Sequence, residues 1–196
     1  MRNLQKYRGE VSRQDRESRN LHSSAVFWFT GLSGAGKSTI AHGVEKLLFD
    51  NGINVYVFDG DNVRHGLCGD LSFSRAARAE NIRRIAEVSK LFVDMGTVCL
   101  CAFISPMEED RKRVQQIVGD ENFHEIYISC PVSVCESRDV KGFYKLAREG
   151  KIKNYTGVSS PYEEPKKPAL EVNTDVSSEA KAIKNVFEFV LTKVKV

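Results

Sequence analysis

The sequence predicts an α/β fold: a parallel five-stranded sheet with helices on both faces and a basic lid over one edge. Three observations predict it. Short apolar runs alternate with segments of helical spacing along the chain, the pattern of a parallel sheet built from crossover units. The first run passes at once into a glycine-rich turn and then a helix. The polar clusters fall after strands, so the topology gathers them at one edge of the sheet.

The first strand, residues 25–30, contains Val26-Phe27-Trp28-Phe29 and is continuously apolar, as expected of a strand buried on both faces. It leads into GLSGAGKST, residues 31–39, where Gly31, Gly36, Lys37 and Ser38 fill the pattern G-x-x-x-x-G-K-[ST]. A chain that wraps a phosphate must point several backbone N–H groups inward, and Gly31, Gly34 and Gly36 permit it. Leu32, Ser33, Ala35 and Thr39 complete the loop and the start of its helix. Lys37 brings a point charge to the β- and γ-phosphates, Ser38 a hydroxyl for Mg²⁺, and the helix its positive end. ATP and Mg²⁺ are the expected cofactors, and the sheet is of the P-loop NTPase type.

Ile40, Val44, Leu47 and Leu48 give the following helix one apolar face, and Asn51-Gly52 stops it. A second strand, Ile53 to Phe58, ends in DGDNVRHGL. Alone, Asp59 and Asp61 would cap a turn. Beside a phosphate loop they suit a Mg²⁺ water shell and a hydroxyl proton. Ser74 is the expected N-cap of a long helix with Ile82, Ile85, Ser89 and Phe92 at helical spacing, closed by Gly96. Arg75 in its first turn reads as solvated. A third strand runs from Val98 to Ile104 and breaks at Ser105-Pro106; the helix after it, to about Val118, is highly charged on one face and reads as solvent-facing. Phe123 to Ser129 is the fourth strand, 131–139 a short helix entered through proline, and Leu170 to Asn173 the fifth strand. A final helix from about Ser178 carries Ile183, Phe187, Val190, Leu191 and Val194 on its buried side.

The lid is expected over about 139–168. Between Lys141 and Lys153 the chain carries a net +4, against +3 for all 196 residues. Over a phosphate site, such cations neutralise transferring charge and help exclude water. Residues 1–24 form a polar arm, and 25–196 a single domain. The arm has no apolar stretch of a secretory signal, and no run elsewhere is long enough to span a membrane. The five cysteines form no C-x-x-C pair and read as reduced thiols of a cytoplasmic protein. The small net charge gives no reason for nucleic acid as a partner.

A regulatory GTPase would show a guanine-reading N-K-x-D and a D-x-x-G switch directly after a strand, and neither is found. Val55-Tyr56-Val57-Phe58-Asp59 superficially fits the acid-ended strand of a motor ATPase. The Asp-Gly-Asp doublet, however, follows the second strand directly after the first helix, which suits a small-molecule kinase. A kinase of another small hydroxyl compound, a nucleoside or sugar acid, and a nucleotide-binding subunit without turnover stay open on these residues.

FTGLSGAGKST, DGDNVRHGL, the FSxxxRxENIRR block from Phe73 to Arg84, FISP at 103–106 and KGFYKLAREGKIKNYTG together resemble the adenylyl-sulfate kinase family, from about residue 7 to the C-terminus. The resemblance is to the free-standing form, without a fused sulfurylase. It implies transfer of the ATP γ-phosphoryl to the ribose 3′-hydroxyl of adenosine 5′-phosphosulfate, in a dimer serving sulfate assimilation. It implies Phe73 and Tyr155 around the acceptor adenine, and Arg64, Arg78 and Lys141 on the phosphosulfate. Asn62 and Asn81 fall on polar groups of the nucleotide, the backbone of Ile104 and Ser105 at an adenine edge, and Arg138 over the ATP adenine. Asp61 is the preferred contact of the 3′-hydroxyl and Asp59 of the Mg²⁺ shell. Ser105 matches a serine described in bacterial-type members as a phosphoserine intermediate, although in-line transfer needs no covalent relay. Where the family usually has Phe this chain has Tyr155, and where it often has Gly this chain has Asn154, a residue that tolerates positive φ.

Overall fold

In the computed structural model, which describes Gln5, Tyr7 and residues 9–194, five parallel strands form one sheet in the order β2-β3-β1-β4-β5. The strands are β1 (Val26–Thr30), β2 (Val55–Asp59), β3 (Val98–Ala102), β4 (Phe123–Ser129) and β5 (Leu170–Asn173). The helices are α1 (Arg13–Asn20), α2 (Lys37–Asp50), α3 (Gly60–Arg64), α4 (Arg75–Asp94), α5 (Glu108–Val118), α6 (Val132–Arg138), α7 (Phe143–Arg148) and α8 (Glu179–Val194). The expected fourth and fifth strands match residue for residue. The third strand closes two residues early, at Ala102.

The apolar runs resolve into two cores by the period of two that a strand imposes. Phe27, Phe29, Leu100, Ile126 and Ile128 face α2 and α8; Val26, Trp28, Cys99 and Cys101 face α4 and α5. Each fully buried side chain of this size contributes about 1.5–3 kcal/mol. The five thiols are free and buried within these layers. On α8 the innermost positions are Ala182, Val186, Val190 and Val194, with Ile183, Phe187 and Leu191 flanking them. Gly43 lets α2 meet α8 closely: a Cβ there would stand 2.4 Å from Ile183 Cδ1.

Within the arm, residues 13–20 form α1, started by Ser12 and Asp15 in a reciprocal capping box, and two expectations further along the chain are corrected. Arg13 donates to Asn122 Oδ1 (2.7 Å) and Ser24 O (2.7 Å), Arg16 to Asp94 O (2.9 Å), and Asn20 to Gly96 O (3.1 Å). Residues 1–4, 6 and 8 of the arm lie outside the described residues. Arg75 is not simply solvated: it pairs with Asp110 (2.7 Å) and with Glu109, tying α4 to α5. The charged helix α5 is not solvent-facing throughout, since Asp110, Arg111, Val114 and Val118 are buried.

Because every strand is parallel, the glycine-rich loop after β1, the Asp-Gly-Asp turn after β2, Ile104-Ser105 after β3 and the turn after β4 lie at one edge. β1 sits between β3 and β4, so the crevice at its C-terminal end is the switch point where open α/β sheets bind ligands.

Candidate active site

The loop between β1 and α2 is braced from outside. Tyr144 Oη donates to Ser33 O (2.9 Å), Arg138 to Gly34 O (3.2 Å), and Thr174 Oγ1 to Ala35 O (2.8 Å). With these carbonyls held outward, the amides between them are left for a ligand. Glycine is required at two points. A Cβ on Gly31 would stand 2.5 Å from Ile128 O, and one on Gly34 3.1 Å from Cys135 O. The side chain of Leu32 is buried beneath Gly157 of the lid, whose Cβ position lies 3.0 Å from it. Beside Leu32 a cavity of about 430 Å³ opens between the loop and lid residues 157–162.

Lys37 Nζ lies on the loop itself, donating to Gly31 O (3.0 Å) and Leu32 O (2.7 Å). Burial pushes its pKa down to about 8. In the unfolded chain it stays charged to about 10.5, so above pH about 8 the unfolded state holds more protons. The free protein therefore gains stability from this group as pH rises from about 8 to 10.5. Binding of a triphosphate through the Lys37 ammonium would run the other way. We expect affinity for a non-hydrolysable ATP analogue to be flat below pH about 8 and to fall above it, by up to about tenfold per unit; calorimetric titration across that range checks it.

Ser38 Oγ donates to Asp59 Oδ2 at 2.5 Å, and Asp59 Oδ1 accepts from Asp61 N at 2.9 Å, capping α3. A hydroxyl and a carboxylate oxygen this close are the hard donors a Mg²⁺ ion takes. No cluster of three acidic, His or Cys side chains stands among the described residues, so a cation here would draw its other ligands from phosphate and water. Asp61, beyond the cap, is more exposed and is paired with Lys141 of the lid.

Asn62 follows on α3. Arg64 donates to Leu71 O (3.2 Å) and Ser72 O (3.3 Å), and its guanidinium carbon lies 4.3 Å from the centre of the Phe73 ring. Phe73 is 66% exposed, so its ring is accessible at the surface beside Arg64. Ser74 caps α4 as expected, accepting from Ala77 N. Arg78 spans from α4 to the lid, donating to Asn154 O (2.8 Å) and Thr156 Oγ1 (3.0 Å). Asn154 has φ +57°, as the family's frequent glycine there anticipates. Tyr155 packs edge-on against Tyr144, ring centres 5.0 Å apart, and no ring contact joins it to Phe73 among the described residues. Asn81 is 3% exposed, and its Oδ1 is the one buried side-chain polar atom without a partner among the described residues.

Ile104 and Ser105 close the wall after β3. Thr30 Oγ1 donates to Ile104 O (2.8 Å), and Trp28 Nε1 to Ser105 Oγ (3.0 Å); Ser105 is 2% exposed. Arg138, at the end of α6, reaches Thr174 O (2.7 Å) as well as the loop.

A model of the family described as adenylylsulphate kinase matches residues 23–173. The chain belongs to the adenylyl-sulfate kinase family. The adenylyl-sulfate kinase of Thermodesulfovibrio yellowstonii is 51% identical over 98% of this chain and 96% of the relative. That of Acaryochloris marina is 52% identical over 93% and 89%. Among solved structures, the Mycobacterium tuberculosis APS kinase CysC in complex with AMPPNP and APS superposes with a TM-score of 0.83. It is 44% identical and covers 86% of this chain and 98% of that one. The five-stranded parallel sheet is the fold of these kinases.

Ser38 and Asp59 come together beside the loop on which Lys37 rests. Asp61 meets Lys141, Arg64 meets Phe73, and Arg78 meets Asn154. Sequence reasoning missed Thr174, Tyr144, Thr156 and Arg111, which hold the adenylyl-sulfate kinase site rather than line it. Thr174 left a signal as the polar residue directly after β5 on the site's edge, and Tyr144 and Thr156 fall within the KGFYKLAREGKIKNYTG stretch.

Proposed function

We propose that this adenylyl-sulfate kinase uses Lys37, Ser38 and Asp59 on the donor and Asp61, Arg64, Phe73, Arg78 and Asn81 on the acceptor. The reaction takes the γ-phosphoryl of ATP to the 3′-hydroxyl of adenosine 5′-phosphosulfate. The observation that carries the acceptor half is the orphaned Asn81 Oδ1, since a buried amide oxygen wants a donor and a nucleotide offers one. Lys37 leaves the loop carbonyls for the phosphates. Mg²⁺, held through Ser38 and Asp59, would supply charge neutralisation at the phosphates.

The two carboxylates divide by their existing bonds. Both oxygens of Asp59 are committed, one to Ser38 and one to the α3 cap, while among the described residues the Asp61 carboxylate is paired with Lys141 alone. Asp61 is therefore the group free to accept the 3′-hydroxyl proton once Lys141 turns to the phosphosulfate. The Ser105 hydroxyl, buried against Trp28, is poorly placed as a phosphoryl relay; its backbone and that of Ile104 read the base edge. Arg138, held by Thr174, covers the face of the ATP adenine. We place the enzyme in the cytoplasm as a homodimer: Tyr56 on edge strand β2, Leu91 on α4 and Met95 at the C-cap of α4 are exposed apolar side chains suited to a second copy. No helix among the described residues is long and apolar enough to cross a membrane.

An ADP-release assay over a panel of acceptors tests the reading. Turnover with adenosine 5′-phosphosulfate and not with nucleosides or sugar acids is expected; turnover confined to another acceptor overturns it. Phe73→Ala should raise the KM for adenosine 5′-phosphosulfate by about tenfold or more and leave the KM for ATP within about twofold. Equal loss for both would mean that the two adenines are wrongly placed.

A further inference from the structure

The turn at Ile104-Ser105 is held where a serine would not rest unaided. Ser105 has φ +38°, a left-handed conformation that a side-chain-bearing residue keeps only when its surroundings impose it. Trp28 holds its hydroxyl, and Arg111 Nη1 donates to its carbonyl at 2.8 Å. The other two arms of Arg111 reach different segments. Nε donates to Glu125 Oε1 on β4 (2.7 Å), and Nη2 to Glu163 O in the lid loop (2.8 Å). Its side chain is 3% exposed. The guanidinium carbon lies 6.0 Å from the centre of the Tyr162 ring, and Tyr162 Oη meets Thr30 Oγ1 at 2.9 Å. Glu163 N returns a bond to Pro106 O (2.8 Å), and Glu163 Oε2 accepts from Glu108 N (2.7 Å).

One buried guanidinium thus joins three pieces of chain: the turn after β3, strand β4, and the root of the lid. Glu125 balances its charge, which a buried cation requires. The fork is what makes the junction, since a lysine has a single head and cannot serve acceptors in three directions. We propose that Arg111 is a positioning residue of the kinase, fixing the Ile104-Ser105 turn and the Tyr162-Glu163 lid root as one unit so that the acceptor base meets a preformed edge. This rests on the placement of the acceptor base at Ile104-Ser105.

Arg111→Lys tests it, because the charge facing Glu125 is retained while the fork is lost. Steady-state kinetics are read together with the emission of Trp28, the one tryptophan of the chain, whose indole N–H bonds Ser105. The expected result is a rise of at least ~10-fold in acceptor KM, an ATP KM within about twofold, and a shifted Trp28 emission maximum. Parental acceptor KM with parental emission, or equal rises in both KM values, overturns the proposal. Should Arg111→Lys not fold, Tyr162→Phe cuts the lid root from Thr30 and leaves the ion pair intact. A several-fold rise confined to the acceptor KM then supports the proposal, and an unchanged value overturns it. The unsubstituted chain is run alongside: its failure to turn over adenosine 5′-phosphosulfate would sink the functional reading, while Trp28 emission would still report on Arg111.

Discussion

Lys37→Ala lowers kcat/KM by about 10³-fold or more, with the fold intact. The loss is large because the ammonium neutralises charge on the transferring phosphoryl, and no other lysine lies within the loop. The fold survives because, among the described residues, the Lys37 ammonium bonds only to Gly31 O and Leu32 O. Burial of this charge disfavours it in the folded state, as its lowered pKa records, so its removal does not cost global stability. Steady-state kinetics beside a thermal melt check both halves. Parental turnover would contradict the donor site, and an unfolded variant would contradict the account of its packing.

Asp61→Asn lowers kcat by about 10²-fold or more with little change in either KM, if Asp61 accepts the hydroxyl proton. The amide keeps the size of the side chain and can still contact the hydroxyl, so binding is largely retained and proton transfer is lost. Asp59→Asn should behave differently, shifting the Mg²⁺ concentration at half-maximal rate upward, because Asp59 shares its Oδ2 with Ser38 at 2.5 Å. If the two variants exchanged phenotypes, the roles of the carboxylates would be reversed.

The sheet was legible because its strands are short apolar runs buried on both faces, a signal that needs no tertiary knowledge. The long helix α4 was legible from its Ser74 cap and its spacing. The helices α3 and α7 were not, since five or six residues carry little periodicity. The start of α7 is fixed by the carboxylate of Asp139, which accepts from Tyr144 N (3.0 Å) and Lys145 N (3.1 Å). On the site, Gly31 to Ser38 and the two aspartates declared themselves through residue type and spacing. Arg75 and Arg111 did not: each stands in a charged stretch that reads as solvated, and the partners that bury or bind them lie far along the chain. The Ser105 hydroxyl shows the same limit, since its orientation is set by Trp28, 77 residues earlier.

The grip of α1 has a practical consequence. Its bonds to Ser24, Asp94, Gly96 and Asn122 are all made just ahead of strands β1, β3 and β4, at the pole away from nucleotide entry. A reporter or surface tether spliced in front of Ser12 therefore hangs from the floor of the molecule. Immobilised on a sensor chip by that handle, the protein presents its working mouth to the flow.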